Sequence, residues 1–215
     1  MGGWVDLYMR RFIALLLFIG LAWGQLDTMW TKTFGGDFWD WGYGIVELDD
    51  GYVFSGVQYL GNSTDSSKAV FYRTDLNGEI IWHYAYGDSG QVFSGNLIRT
   101  QDDNLASIIA DYGKSKPILI KIDFDGNLLF EKEFDVDLSQ VYNLVNACGN
   151  GFVFLSRGVL YRTDLEGEII WTKDGLGIES IPIIESDDGI VIVSQDGFEN
   201  RLIKYNCDGV ELWES

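Results

Sequence analysis

Short apolar runs alternate with polar turns along most of the chain. The run 44–48 precedes a turn at 49–51, and a second run, 52–56, follows that turn. Val, Ile, Tyr, Phe and Trp dominate such runs, and Asp-Gly or Asn-Gly pairs recur between them. This pattern is typical of β-hairpins. After residue 24 no stretch spaces its apolar residues as a helix of about ten residues would, so the pattern predicts an all-β protein.

The hairpin pattern repeats four times. Each unit ends on an aromatic residue, at Trp82, Phe130, Trp171 and Trp213. Units of about 40–50 residues with four strands are typical of β-propeller blades. The sequence therefore predicts a β-propeller domain, residues 25–215, made of four four-stranded antiparallel blades. The predicted blades cover about 35–86, 87–134, 135–173 and 174–215.

The closure of the ring is open at this point. Residues 29–34 are expected to form the outer strand of a preceding blade, although the fourth unit has an outer strand of its own at 210–213. Either four blades form a closed four-bladed ring, or the chain is part of a larger ring. A homodimer could complete the larger ring, or the chain could be a truncated fragment with exposed blade edges, which soluble proteins avoid.

Several motifs resemble a known family. Residues 30–36 read WTKTFGG, residues 50–52 read DGY and residues 202–204 read LIK. These motifs resemble the repeats of secreted bacterial and archaeal propeller proteins. The D-x-x-G-x-x-x-W spacing that starts at Asp75 and Asp164 is similar to blades of pyrroloquinoline-quinone-type propellers. The resemblance covers about residues 29–213 and implies the fold, but such propellers serve many unrelated roles.

The N-terminus has the features of a targeting segment. Arg10 and Arg11 precede an apolar run, and small residues follow at Ala22 and Gly24. This order predicts a signal peptide, residues 1–24, and therefore a secreted protein, whether extracellular, at the cell surface or periplasmic. The run is short for a bilayer span, which takes about 20 residues, so an uncleaved anchor is the alternative. We expect no stable membrane insertion after cleavage.

The chain is strongly acidic. Its 33 Asp and Glu against 15 Lys and Arg give a formal charge of −18. Such a surface repels phosphate groups, so we expect no nucleic-acid partner.

The tight turns concentrate carboxylates at one end of the blades, because the first and third turns of a four-stranded meander lie on the same side. Clustered carboxylate oxygens suit Ca²⁺ as a possible cofactor. The alternative, which we favour, is that these side chains bond the backbone of their own turns. The candidate metal ligands are Asp49, Asp50, Asp102, Asp103, Asp187 and Asp188.

The opposite end carries an aromatic loop, residues 34–43. Aromatic rings stack on sugars, and neighbouring carboxylates accept hydrogen bonds from sugar hydroxyls, so the loop predicts a site for a glycan or a protein. The alternative is that Trp41 and Tyr43 cap the blade core. The candidate ligand-binding residues are Phe38, Trp39, Asp40, Trp41 and Tyr43.

Conventional catalytic motifs are absent from the sequence. His83 is the single histidine, and no H-E-x-x-H, G-x-S-x-G or P-loop pattern occurs. The favoured hypothesis is a non-catalytic binding or scaffold module. A carbohydrate-active enzyme that uses carboxylates on one face is the alternative.

Two further expectations concern packing. Trp82, Trp171 and Trp213 are expected to fill the gaps between blades, because large aromatic side chains suit such gaps. Cys148 and Cys207 are expected in turns too far apart for a disulfide, which needs Cα atoms about 4.4–6.8 Å apart.

Overall fold

The structure is a computed structural model that describes residues 30–63, 65–87, 90–138, 143–147, 149–176, 183–196 and 199–215. It has two compact units, residues 1–32 and 33–215, and all of the strands belong to the second unit. The predicted signal peptide, 1–24, lies outside the described residues. Within the described ranges no helix is long and apolar enough to cross a membrane.

Sixteen strands of the described residues form four antiparallel sheets of four strands each. Blade one contains β1 (Asp40–Leu48), β2 (Gly51–Tyr59), β3 (Ser67–Asp75) and β4 (Ile80–Tyr86). Blade two contains β5 (Val92–Arg99), β6 (Leu105–Asp111), β7 (Lys116–Ile122) and β8 (Leu128–Glu133). Blade three contains β9 (Leu144–Asn146), β10 (Phe152–Ser156), β11 (Val159–Thr163) and β12 (Ile169–Lys173). Blade four contains β13 (Ile183–Ser186), β14 (Gly189–Asp196), β15 (Glu199–Asn206) and β16 (Glu211–Glu214).

Each strand pairs with its neighbours in the chain, which makes every sheet a simple meander. The prediction of an all-β propeller with four four-stranded antiparallel blades is confirmed.

The turn between the third and fourth strands is built in the same way in every blade. In blade one the Asp75 carboxylate accepts the backbone N–H groups of Asn77 and Glu79, each at 2.8 Å. Gly78 completes the turn at a φ of 79°, a conformation that favours glycine. The residues that replace Asp75 in the later blades, with the same bonds to their turns, are Asp123, Asp164 and Asn206. These side chains therefore stabilise turns, as the favoured alternative predicts.

The hydrophobic core lies between consecutive blades. Val53 and Phe71 of blade one pack with Ile109 and Ile118 of blade two. A second cluster joins blades two and three, and a third joins blades three and four. Each sheet therefore contributes to a core through the face that it turns toward its neighbour.

The aromatic residue at the end of a blade packs on the third turn of the next blade. The indole N–H of Trp82 donates to the carbonyl oxygen of Phe124 at 2.9 Å. The indole N–H of Trp171 donates to the carbonyl oxygen of Cys207 at 3.0 Å. The expected packing between blades is thus confirmed for both. It is wrong for Trp213, whose side chain is exposed because no blade lies against that face in the described residues.

Two other expectations need correction. Residues 30–34, expected in the outer strand of a preceding blade, form no strand; the ring of Phe34 packs instead on Phe54 and Tyr72 of blade one. Met29 lies outside the described residues. Cys207 is disulfide-bonded, and the sequence has one other cysteine, Cys148, which also lies outside the described residues.

The expected separation of the two cysteines is therefore wrong. The carbonyl oxygen of Cys207, in the third turn of blade four, accepts the indole N–H of Trp171, so this turn lies against blade three.

Candidate ligand-binding site

The aromatic loop is held at the start of blade one. β1 begins at Asp40, and the preceding carbonyl, of Trp39, accepts the backbone N–H of Tyr59 at 3.1 Å. Tyr59 ends β2, so this bond ties the loop to the turn between β2 and β3. Two small cavities lie beside the loop, and the turn borders the second of them.

The first cavity, which we call the Asp40 cavity, has a volume of about 90 Å³. One Asp40 oxygen, Oδ2, accepts the backbone N–H of Gly36 at 2.7 Å. The other, Oδ1, is buried and has no hydrogen-bond partner among the described residues. A buried acceptor without a partner is costly, so it marks a position that a donor from a ligand could satisfy. The side chains around it are Phe34, Trp41, Phe54, Gln58, Val70 and Tyr72.

Glycine is required where the loop folds over Asp40. Gly35 has a φ of 141°, and a Cβ atom added there would lie 2.0 Å from Asp40 Oδ2. Any larger residue would strain the backbone at this φ and would displace the Asp40 carboxylate from its bond with Gly36. The Gly-Gly pair in the loop therefore shapes the Asp40 cavity.

Aromatic rings form one wall of the Asp40 cavity. The ring of Phe34 meets Phe54 edge-on at 4.7 Å, and Phe54 stacks on Tyr72 at 5.2 Å. Burial, and then the charge of Asp40, raise the pKa of the Tyr72 hydroxyl. Tyr72 thus keeps its proton, and the cavity combines an apolar wall with a carboxylate acceptor.

The second cavity, which we call the Trp39 cavity, has a volume of about 120 Å³. Trp39 is 73% exposed, so its indole ring is open to solvent. A rigid, exposed indole beside polar groups is a suitable surface for stacking. The lining residues are Phe38, Trp39, Tyr59, Gly61, Asn62 and Ser63.

Four of the five residues predicted for the ligand site border these cavities: Phe38, Trp39, Asp40 and Trp41. The fifth, Tyr43, lies at a β-bulge between Gly42 and Gly44 and lines neither cavity. Tyr59 and Asn62, near the turn between β2 and β3, were not predicted. The predicted topology could have indicated them, because that turn lies at the same end of the blade as the aromatic loop.

The carboxylates proposed as metal ligands have other partners. Asp50 pairs with Arg73 at 2.8 Å, and Asp188 pairs with Lys204 at 2.5 Å. Both cations come from the third strand of the same blade. The remaining pairs are Asp102 with Lys121 at 2.6 Å and Asp103 with Arg99 at 2.8 Å. In the part of the chain that the structure describes, no three His, Cys, Asp or Glu residues are grouped to hold a metal.

The geometry therefore gives four of the six candidate metal ligands a role in ion pairs, and it brings the six together in no single place. Asp49 and Asp187 lie in the first turns of blades one and four. Blade three departs from this pattern. There Arg162 occupies the position of the cation and donates to the backbone carbonyl of Asn150 at 2.9 Å.

A third concave region, of about 530 Å³, lies between blades one and two. Tyr86 of blade one accepts a bond from Lys114 Nζ at 3.0 Å and donates to Asp111 at 3.3 Å. Lys114 also lies 3.6 Å from Glu131 and 3.5 Å from Glu133. Burial is the largest cause that raises the pKa of Tyr86 to about 12. These groups satisfy one another, so this region joins the two blades.

Comparison with known proteins identifies the fold and no family. No known protein family and no curated protein matches the sequence. The chain is similar in structure to a protein of unknown function from Bacteroides caccae, with a TM-score of 0.56 and 10% identity. The match covers 81% of this chain and 60% of that one. At this identity the likeness shows the fold alone.

Two further structures are more distant. BamB from Moraxella catarrhalis has a TM-score of 0.38 and 13% identity, with 85% of this chain and 61% of BamB covered. A Bacteroides fragilis protein thought to be exported has a TM-score of 0.41 and 8% identity, with 80% and 70% covered. The chain thus spans about 60% of the length of the Bacteroides caccae protein and of BamB.

Proposed function

We propose that this chain is an exported, non-catalytic binding module of the propeller class, and that it binds a glycan at the aromatic loop. The observation that carries the proposal is the buried, unpartnered Oδ1 of Asp40 beside exposed aromatic rings. Rigid scaffolds commonly hold their ligands at loops of this kind.

A sugar suits both parts of the site. The apolar face of a pyranose ring would stack on the exposed indole of Trp39, which costs little conformational entropy because the loop is tied to Tyr59. A hydroxyl of the same or the next residue would donate to Asp40 Oδ1. The amide of Asn62, at the edge of the Trp39 cavity, can both donate and accept. The two cavities are small, so the site suits one or two sugar residues.

Two observations support export. The N-terminal sequence has the order of charged, apolar and small residues that signal peptides share. Cys207 is disulfide-bonded, and disulfides persist mainly in oxidising compartments outside the cytosol. The secreted locations named from the sequence therefore remain part of the proposal.

Glycoside hydrolysis makes a demand on the pKa of one carboxyl group. A glycosidase needs one carboxyl group with a raised pKa to act as the general acid. Four of the described carboxyl groups have a lowered pKa, the opposite direction, and none of the four lines the Asp40 or the Trp39 cavity. These groups are Asp102, Asp123, Asp135 and Asp188. Hydrogen bonds from lysines or from their own turns stabilise their charged forms.

A protein is the second candidate ligand. Exposed Trp residues often anchor protein interfaces, and Phe38 beside Trp39 widens the exposed apolar surface. This ligand would use the Trp39 cavity and would leave Asp40 unpartnered. The two ligand classes thus differ in whether binding needs the Asp40 carboxylate.

The test uses the predicted mature chain, residues 25–215, on an array of plant, animal and bacterial oligosaccharides. Calorimetry then measures the affinity for the strongest ligand. We expect Trp39→Ala and Asp40→Asn each to weaken binding at least tenfold. The control variants make the same kind of change at exposed positions outside both cavities, as in Leu129→Ala and Asp125→Asn, and should leave the affinity unchanged.

Three results separate the hypotheses. Binding that needs both Trp39 and Asp40 supports the glycan proposal. Absence of binding across the array, with the fold intact by circular dichroism, refutes it. Release of reducing sugar from any array ligand would instead favour the carbohydrate-active enzyme.

A further inference from the structure

Each blade has two faces that meet different neighbours. We call the face that packs on the next blade the leading face, and the face that packs on the preceding blade the trailing face. The third strand of every blade places one apolar side chain on the leading face, two positions before the basic residue of that strand. These residues are Phe71, Leu119, Leu160 and Leu202.

The leading face of blade four is uncovered. Phe71 is 1% exposed, and Leu119 and Leu160 are 0% exposed, because the next blade covers each of them. Leu202 is 44% exposed. Ile184 in β13 is also exposed, whereas its counterparts in the first strands of the other blades pack into the cores between blades. An apolar sheet face of this kind marks a site of interaction.

The aromatic residue of blade four shows the same difference. Trp82 and Trp171 donate their indole N–H groups to carbonyl oxygens in the next blade. Trp213 is 43% exposed, whereas Trp82 and Trp171 are partly buried. The leading face of blade four thus keeps the side chains of an inter-blade contact without the blade that would complete it.

The complementary surface is also exposed, at the other end of the unit. On the trailing face, Leu97 of blade two is 6% exposed and Leu144 of blade three is 0% exposed. Ile45, their counterpart in blade one, is 67% exposed. Phe34 packs on Phe54 of the same face but leaves Ile45 open. The two halves of one type of interface, which occurs three times within the chain, are therefore both present. The half on blade four is uncovered, and the half on blade one is open at Ile45, whereas Phe34 covers its Phe54 and Tyr72 beside the Asp40 cavity.

We propose that the leading face of blade four binds the trailing face of blade one in a second copy of this chain. A second copy fits because the contact would continue the blade-to-blade interfaces that already hold the unit together. Ile45 and the Asp40 cavity lie on the same face of blade one, so a second copy would compete with a glycan for that face. The interface is heterologous, since two different surfaces meet. Two copies in head-to-tail order would form two identical interfaces and close as one ring of eight blades.

The acidic charge of the chain opposes this assembly. Each chain has a formal charge of −18, so two copies repel one another at low ionic strength. The proposed contact is apolar at its centre and does not depend on attraction between charges. Added salt screens the repulsion and should therefore strengthen the association.

The test is the solution mass of residues 25–215, measured by light scattering after size exclusion. We expect a single two-chain mass whose dissociation constant falls as sodium chloride rises from about 20 to 300 mM, across which the screening length shortens severalfold. Leu202→Asp and Ile45→Asp should each give a one-chain mass. Ile170→Asp, at an exposed position on β12 of blade three, is the matched control and should keep the two-chain mass.

A mixing experiment identifies which surfaces meet. The Ile45→Asp chain retains an intact blade-four face, and the Leu202→Asp chain retains an intact blade-one face. Mixing the two variants should therefore restore a two-chain species, which neither forms alone. Restoration also shows that both variants are folded.

Other outcomes overturn the proposal. A one-chain mass for the unmodified chain would exclude a second copy as the occupant, as would a ladder of larger masses that never closes. Loss of the dimer in Leu202→Asp alone, with Ile45→Asp unaffected and no restoration on mixing, would mean that two blade-four faces pair with each other.

Discussion

Lys121 and Asp102 form an ion pair in which the ammonium nitrogen lies 2.6 Å from the carboxylate oxygen. The side chain of Lys121 is buried, while Asp102 is partly exposed in the first turn of blade two. Lys121 also lies over the ring of Phe130. A buried cation depends on its counter-ion, because loss of one partner leaves an uncompensated charge.

We therefore predict that Asp102→Asn destabilises the protein by about 2 kcal/mol at pH 7, a value kept small because solvent screens the exposed carboxylate. Burial raises the pKa of Asp102, but hydrogen bonds from Lys121 and Thr100 outweigh burial and leave the pKa lowered. The stabilisation is thus complete above the ordinary Asp pKa of about 3.9 and is lost as pH falls through the lower, folded value. Urea unfolding from pH 7 to pH 2 measures both effects. An unchanged acid dependence in the variant would contradict the prediction.

Substitution of Gly126 tests the contact between Trp82 of blade one and the third turn of blade two. A Cβ atom added there would lie 2.8 Å from Cδ2 of Trp82, and the residue has a φ of 88°. Gly126→Ala should therefore lose about 3 kcal/mol of stability, part from the clash and part from the backbone. Gly149→Ala has a φ of 75° but no atom within 4 Å, so it should lose only about 1 kcal/mol. Equal losses in urea unfolding would show that the indole moves aside without cost.

Because the pKa of the Tyr86 hydroxyl is raised, we predict that the folded protein loses stability in alkali. Burial, the largest cause, raises its pKa from 10.0 to about 12 in the folded state. Between these values the unfolded tyrosine ionises while the folded one keeps its proton, so ionisation favours unfolding as pH rises. Tyr86→Phe should be less stable at pH 8 and should show a shallower loss from pH 10 to pH 12. Absorbance at 295 nm can follow the titration, and a Tyr86 that ionises with the exposed tyrosines would refute the assignment.

Because Cys207 is disulfide-bonded, we predict that reduction exposes thiols and destabilises the protein. Because the sequence has two cysteines, iodoacetamide should label no thiol in the unreduced, denatured protein and two thiols after reduction. Closure of a long loop is worth about 4 kcal/mol in the chain-entropy account, so reduction should lower the unfolding midpoint markedly. Cys207→Ser should reproduce the effect of reduction and should be insensitive to dithiothreitol. Labelling of two thiols before reduction would exclude the bond.

The fold was predictable because its determinants are local. Asp75 and Gly78 specify a turn by their own side-chain and backbone chemistry, and the same spacing recurs in each blade. Trp82 and Trp171 were placed between blades for a similar reason, since a large aromatic at a repeated position suits a repeated gap. Both inferences need only neighbouring residues and a period.

The candidate site and the ion pairs depend on register and on contacts between distant residues. Asp40 lies opposite Gln58 in the strand pairing, and Gly36 folds back to Asp40. The local sequence therefore does not predict that one Asp40 oxygen lacks a hydrogen-bond partner. Likewise, the partner of Asp50 is Arg73, which only the pairing of β2 with β3 brings near. These turn carboxylates were candidate metal ligands because the basic residues that pair with them are separated from them in the chain.

The meander topology has a consequence for how the chain acquires its structure. Every hydrogen-bonded strand neighbour is also the neighbour in sequence, so each sheet has a low contact order. The strand pairing of a blade needs no residues beyond its own fourth strand, whereas its hydrophobic core is completed only when the next blade packs on it. Each finished blade then offers the next one a surface on which to condense. Assembly in this order proceeds from the N-terminal blade to the C-terminal blade, one hairpin at a time.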